Sequence, residues 1–280
     1  MIKICIIGTG QIGFDLLNKV MKLDFVEIIA FVGRRPCTKI LPKNIFYSDN
    51  SINYFIENPK CCDVVFDCTD AFSAVINSKV FFEQGIKVID LTPSNVGEFY
   101  IPNISSNLSS NSNINMVTCG GQASIPLLKY LNNKFEITYA EVITQINSES
   151  AGMATRINVD KYIELTELAI YKFINTPKCK VILNINPHVN TTMQTTVFLK
   201  ITTPGLYNFD DFDDFINLIQ IYIPNYKMIK PTLLTPNLLM AHVNIIGSSN
   251  VISNYSGNLD IINCAAIHAL ITCKNTSLIL

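Results

Sequence analysis

The chain has 280 residues, 49% of them hydrophobic and 15% charged, with a formal net charge of −1. That length exceeds a usual single domain and the apolar content fills a sizeable core, so two domains are expected, while the charge gives no electrostatic case for nucleic acid or a membrane surface. No apolar run approaches the roughly 20 residues that span a bilayer, and the N-terminus lacks the marks of a signal peptide, so a cytoplasmic protein is expected.

The first element is a short β-branched strand, 3–7, that ends in Gly8-Thr9-Gly10-Gln11-Ile12-Gly13. A helix follows, with Ile12, Leu16, Leu17 and Val20 on one face. A glycine turn without a ligand is one reading; the strand–G-x-G-x-x-G–helix context favours a dinucleotide loop. Gly8 would make the turn, Gly10 would admit a pyrophosphate, and Gly13 would let helix and strand pack closely. The phosphates would sit on the helix N-terminus. Strands at 27–32, 64–67 and 87–90, with a helix at 72–84, continue a βαβ rhythm and predict a parallel sheet with helices on both faces. Thr69-Asp70-Ala71 and Leu91-Thr92-Pro93-Ser94 fall at carboxyl ends of strands, where open α/β sheets bind ligands. The polar, low-complexity stretch 103–113 reads as an exposed loop and a boundary.

Next comes Asn115-Met116-Val117-Thr118-Cys119-Gly120-Gly121-Gln122-Ala123. Most free cysteines are small buried hydrophobes. This one leaves an apolar strand at a helix start, where unpaired N–H groups and positive partial charge favour a thiolate and can hold an oxyanion. Beyond it, longer alternating strands are expected at 139–147, 180–185, 191–201 and 242–248. A helix is expected at 159–175, with Tyr162, Leu165, Leu168, Ala169 and Phe173 on one face. Another begins near Asp210, where an acidic cluster suits a helix N-terminus better than a metal. An apolar helix, 261–273, closes the chain. The nine cysteines form no C-x-x-C pair and the three histidines lie far apart, so no metal site or disulfide framework is expected.

Five runs, in order and spanning nearly the whole chain, carry a family resemblance. They are Ile7-Gly8-Thr9-Gly10-Gln11-Ile12-Gly13, Ile89-Asp90-Leu91-Thr92-Pro93, the segment 115–123, Ser150-Ala151-Gly152-Met153-Ala154-Thr155-Arg156, and Tyr255-Ser256-Gly257-Asn258-Leu259-Asp260-Ile261. With them the chain resembles the acylating acetaldehyde dehydrogenases, CoA-dependent enzymes of aromatic meta-cleavage pathways. It is shorter than typical members after the second strand and at 230–254. The resemblance implies an α/β protein with an N-terminal Rossmann domain, 1–118 with 256–280, to which the C-terminal helix returns. An α+β catalytic and dimerisation domain, 119–255, would be inserted before that helix. It implies Cys119 as the acyl-thioester nucleophile, with NAD or NADP as cofactor and coenzyme A as co-substrate. Thr9 to Ile12 would hold the cofactor phosphates, within a cofactor-binding loop that runs from Gly8 to Gly13. Ser150, Ala151, Gly152, Met153, Ala154, Thr155, Arg156, Ile157 and Asn158 would close over the nicotinamide half, with Asn258 a further contact. A homodimer and a 4-hydroxy-2-oxoacid aldolase partner are also implied.

Two departures stand out. The family carries an Arg-Asp-Thr stretch whose aspartate is the expected base; Thr195 falls at that place, and no Asp or Glu occurs between Glu167 and Asp210. A threonine hydroxyl cannot take a proton at neutral pH. Glu149 and His188 are the substitutes on offer, and each reads equally as an ordinary surface residue. The family also places an acid after the second strand, where this chain has Arg34 and Arg35. Either these guanidinium groups favour NADP(H), or they point to solvent. The competing readings are a diverged NADPH-dependent acyl-thioester reductase and a catalytically reduced nucleotide- or partner-binding subunit. The retained Cys119 motif argues for an enzyme.

Overall fold

The computed structural model describes residues 1–36, 40–105, 113–202, 208–248 and 251–276. The chain divides into two compact units, Met1–Met116 with Ala266–Leu280, and Val117–Ala265. Of the low-complexity stretch, 106–112 lie outside the described residues.

The first unit holds β1 (Ile2–Ile7), α1 (Gln11–Val20), β2 (Val26–Val32), β3 (Tyr47–Ser48), α2 (Asn53–Glu57), β4 (Val64–Asp67), α3 (Ala71–Gln84), β5 (Lys87–Asp90), β6 (Glu98–Phe99) and β7 (Ile114–Asn115). Its strands form one parallel sheet in the order β3-β2-β1-β4-β5-β7-β6. β4 and β5 are buried at every position, which is why they read as unbroken apolar runs rather than alternation. Leu16, Leu17 and Val20 bury one face of α1. The Asp70 carboxylate caps α3 by accepting from the Phe72 and Ser73 amides, and Gly85 ends the helix in a left-handed conformation. The parallel register sets Asp67 beside Asp90 at the carboxyl ends of β4 and β5.

The second unit holds α4 (Cys119–Asn132), β8 (Ile137–Asn147), α5 (Met153–Ile157), α6 (Val159–Phe173), β9 (Cys179–Asn186), β10 (Met193–Ile201), α7 (Phe212–Gln220), β11 (Tyr226–Thr235) and β12 (Leu238–Ile245). Its mixed sheet runs β11-β12-β10-β8-β9, with only the β8–β9 pair parallel. β11 was not expected; it carries Pro231 and lies at the sheet edge, where a missing N–H is tolerated. β12 stops before Gly247, earlier than the alternation suggests. On α6, Tyr162, Leu165 and Ala169 are buried as expected, whereas Leu168 is exposed. α8 (Gly257–Asn275) starts in this unit, and from Ala266 onward it belongs to the first. There His268 Nδ1 and Thr272 Oγ1 lie 2.8 and 2.9 Å from the Tyr100 hydroxyl.

Candidate active site

The approach to Cys119 is strained. Val117, a β-branched residue, has φ 59°, in the left-handed region such residues avoid. Thr118 then caps α4, its hydroxyl accepting from the Gly121 amide at 2.9 Å and lying 2.7 Å from Thr166 Oγ1. Cys119 is the first residue of the helix, and the nearby backbone amides of Gly120 and Cys119 favour the anionic form of its sulfur. The Tyr162 hydroxyl lies 3.8 Å from Sγ. A Cβ on residue 120 would collide with that hydroxyl and come within 2.7 Å of Thr144 Oγ1, so only glycine fits between them. Thr144 in turn lies opposite Thr195 in the β8–β10 register, their hydroxyls 3.2 Å apart.

Cys119, Tyr162, Thr144 and Thr195 thus form one row of side chains behind the sulfur. Thr144 and Thr195 are fully buried. Burial pushes the Cys119 thiol up to about 11; the hydrogen bond with Tyr162 and the two amides oppose that shift and lose. The helix N-terminus expected to favour the thiolate is present, and desolvation acts against it. Burial also keeps the Tyr162 phenol protonated, well above its ordinary range. At neutral pH the thiol can donate to the phenol oxygen; once the sulfur ionises, the phenol must donate to it. Glu149 and His188, the other groups considered for proton transfer, are exposed.

The loop expected at the nicotinamide half is partly built in. Ser150 and Ala151 are buried, and Ser150 Oγ donates to the Asn147 carbonyl at 2.9 Å. Gly152 caps α5, which leaves Met153 and Ile157 exposed, with Ala154 exposed and Thr155 half-buried between them. Arg156 ties the loop together by donating to the carbonyls of Ala151 at 3.0 Å and Ser148 at 3.1 Å. Asn258 Nδ2 donates to the Ser150 carbonyl at 3.4 Å, so these two distant motifs meet. Asn158 and Asn258 each keep a buried side-chain oxygen with no partner among the described residues. Two orphaned acceptors suit a donor such as a carboxamide N–H₂.

In the first unit, Gly8 has φ 106° and a Cβ on Gly13 would overlap the Gly8 carbonyl, as a dinucleotide loop requires. Open space surrounds the Cβ position of Gly10, the N-cap of α1, and Gln11 and Ile12 follow it into the helix. Thr9 packs against Gly33, where its hydroxyl would lie 2.6 Å from an added Cβ. Arg34 and Arg35 are exposed; Arg34 pairs with Asp70 at 3.6 Å, and the Arg35 carbonyl accepts from the Tyr47 hydroxyl. The residues of the first unit therefore fit the phosphates of a dinucleotide, with a glycine cradle leading into α1.

Sequence reasoning did not find Tyr162 or Thr144 as site residues. Tyr162 was visible only as one member of a buried helical face. The available signal was a polar-tipped residue on that face, which needs a partner when buried.

A family model described as prokaryotic acetaldehyde dehydrogenase, dimerisation, matches residues 119–253. An acetaldehyde dehydrogenase of Pectobacterium atrosepticum is 38% identical over 276 residues, covering 95% of this chain and 93% of the relative. One from Spirochaeta aurantia is 40% identical over 274 residues, covering 95% and 92%. In fold the chain is similar to a probable aspartate-semialdehyde dehydrogenase from Pseudomonas aeruginosa, with a TM-score of 0.66 over 98% of this chain and 99% of that one. At 10% identity that likeness concerns the fold alone.

Proposed function

Because this chain belongs to the acetaldehyde dehydrogenase family, we propose that it interconverts a short-chain aldehyde and its acyl-CoA, with NAD or NADP, through a thioester on Cys119. The observation that carries the reading is the Cys119 sulfur at the start of α4, faced by two backbone amides and the Tyr162 hydroxyl. The sulfur forms a bond to the aldehyde carbon as its proton passes to solvent, and the carbonyl oxygen takes up negative charge. The amides at the helix start are the donors available to that charge. Tyr162 donates to the sulfur while it is anionic, and Thr144 and Thr195 hold Tyr162 in place from behind. The CoA thiol releases the acyl group from Cys119 as acyl-CoA; in reverse, acyl-CoA loads the same sulfur. A bound nicotinamide cofactor supplies the hydride acceptor. Gly8 to Gly13 would hold its phosphates, while Ser150 to Asn158 and Asn258 would hold its other end.

The dimerisation model over 119–253 supports a homodimer built on the second unit. No helix among the described residues is long and apolar enough to cross a membrane. A cytoplasmic setting and an aldolase supplying the aldehyde complete the proposal. Mass spectrometry after mixing with acetyl-CoA tests its core: an acetyl adduct on Cys119, absent in Cys119→Ala, is expected. No adduct would favour a nucleotide-binding subunit instead. The Cys119→Ala protein should also lose CoA-dependent aldehyde oxidation while still binding cofactor.

A further inference from the structure

Three cysteines that are scattered in sequence converge in the first unit. Cys5 lies in the middle of β1, and Cys61 and Cys62 end the connection from α2 into β4. Their sulfurs all lie within 4.8 Å of one another. The placement is firmly set. Lys60 turns the chain with φ 55°, and Asp63 clamps β1 from both sides of Lys3: its amide donates to the Lys3 carbonyl and its carboxylate accepts from the Lys3 amide, each at 2.8 Å. Around the sulfurs the cluster is apolar, with Phe55, Val65, Phe81 and Ile29, and Tyr54 at its margin. Cys5 and Cys62 are buried, and Cys61 is half-buried, which leaves one side for entry.

We propose that Cys5, Cys61 and Cys62 form a three-sulfur binding site for a thiophilic divalent metal ion of the zinc–cadmium class. An all-sulfur donor set selects soft ions over hard ones. Metal–sulfur bonds of about 2.3 Å put three sulfurs about 4 Å apart in a trigonal arrangement, so contraction by less than about 1 Å closes the site. A fourth position would face outward beside Cys61 for a water molecule.

Charge decides between ions. A divalent ion bound by three thiolates leaves the site with one negative charge, whereas a monovalent ion leaves two, which is costly in an apolar pocket. The thiol protons leave as the three metal–sulfur bonds form, and no electron moves.

The test is an anaerobic titration of the reduced protein with Cd²⁺, reading the sulfur-to-cadmium charge-transfer absorption and the protons released. The expected result is one strong equivalent, with protons released in step with the ion bound. X-ray absorption should count three sulfur neighbours, and Zn²⁺ should compete. Cys119→Ser should keep the band, which separates this site from the proposed catalytic thiol. Cys61→Ser and Cys61→Ala, changes at a half-buried position, should both abolish it with far-ultraviolet circular dichroism unchanged. A band that survives both Cys61 variants, or no stoichiometric band in the natural protein, overturns the proposal.

Discussion

Removing one oxygen atom from Tyr162 isolates how the Cys119 sulfur is held. The hydroxyl sits 3.8 Å from Sγ and, among the described residues, is the one side-chain group that draws the thiol pKa down. Hydrogen bonds to charged groups contribute about 1.5–3 kcal/mol, and a long contact to sulfur belongs at the low end, so Tyr162→Phe should raise the thiol pKa by about one unit. Starting from about 11, roughly one sulfur in a thousand is ionised at about pH 8, and the variant leaves roughly one in ten thousand. A more basic thiolate is also a better nucleophile; with a Brønsted coefficient of about 0.4–0.5 this returns about threefold of that loss. The net expectation is alkylation of Cys119 slowed about three- to fourfold at fixed pH. Phenylalanine keeps the ring, and Thr144 keeps Thr195 at 3.2 Å, so no buried hydroxyl is stranded. Iodoacetamide labelling followed peptide by peptide measures the effect. Labelling of Cys119 at an unchanged or faster rate in the variant would refute the argument.

Thr195→Asp places a carboxylate at the far end of the hydroxyl row, and turnover should rise, general-base assistance commonly contributing about 10²–10⁴-fold, while the melting temperature falls because a charge is buried. An unchanged or lower rate in that variant means another group already takes the proton. NADP(H) should be preferred over NAD(H) in kcat/KM, and Arg34→Ala should erode the preference, since its exposed pairing with Asp70 is weak enough for a phosphate to displace. A wide NAD advantage, with NADP kinetics unaffected by Arg34→Ala, sinks that assignment. Burial, then the Asp67 charge, raises Asp90 from 3.8 to about 7, so the folded state binds the extra proton and stability should decline as pH rises from about 4 to about 7. Asp90→Asn should flatten that decline in melting temperature; an equally steep decline in the variant removes Asp90 as its cause.

The parallel sheet was legible because its central strands and the G-x-G-x-x-G loop are local patterns: one apolar run, one turn and one helix face. β3, β6, β7 and α2, two to five residues each, are too short to carry a period. β11 was hidden by Pro231, which argues against a strand until the edge position is known. Cys119 was legible for the same reason as the loop, since strand, glycine pair and helix start are adjacent in sequence. Its surroundings were not. Thr144 faces Thr195 only through the pairing of β8 with β10, and Tyr162 arrives on a helix 43 residues away from the cysteine. The sequence also could not reveal that burial outweighs the helix terminus at the sulfur, because desolvation depends on everything packed around it.

The same physics separates two thiols in this chain. Cys119 has a phenol and two amides near its sulfur, yet burial leaves it protonated at rest. Cys61 is half-buried like Cys119, but its two neighbouring thiols favour its anion. The contrast predicts different pH dependences rather than different absolute rates, because a low-pKa thiolate is abundant but intrinsically less nucleophilic. Between about pH 7 and 9, alkylation of Cys119 should climb about tenfold per pH unit, since only its small ionised fraction reacts. Alkylation of Cys61 over the same range should be flat, its sulfur being ionised throughout. Peptide-resolved labelling of one sample reads both slopes together, so reagent decay and protein concentration cancel. A flat profile at Cys119 would mean that donors beyond Tyr162 and the two amides hold its thiolate, and a rising one at Cys61 would mean that its neighbours do not.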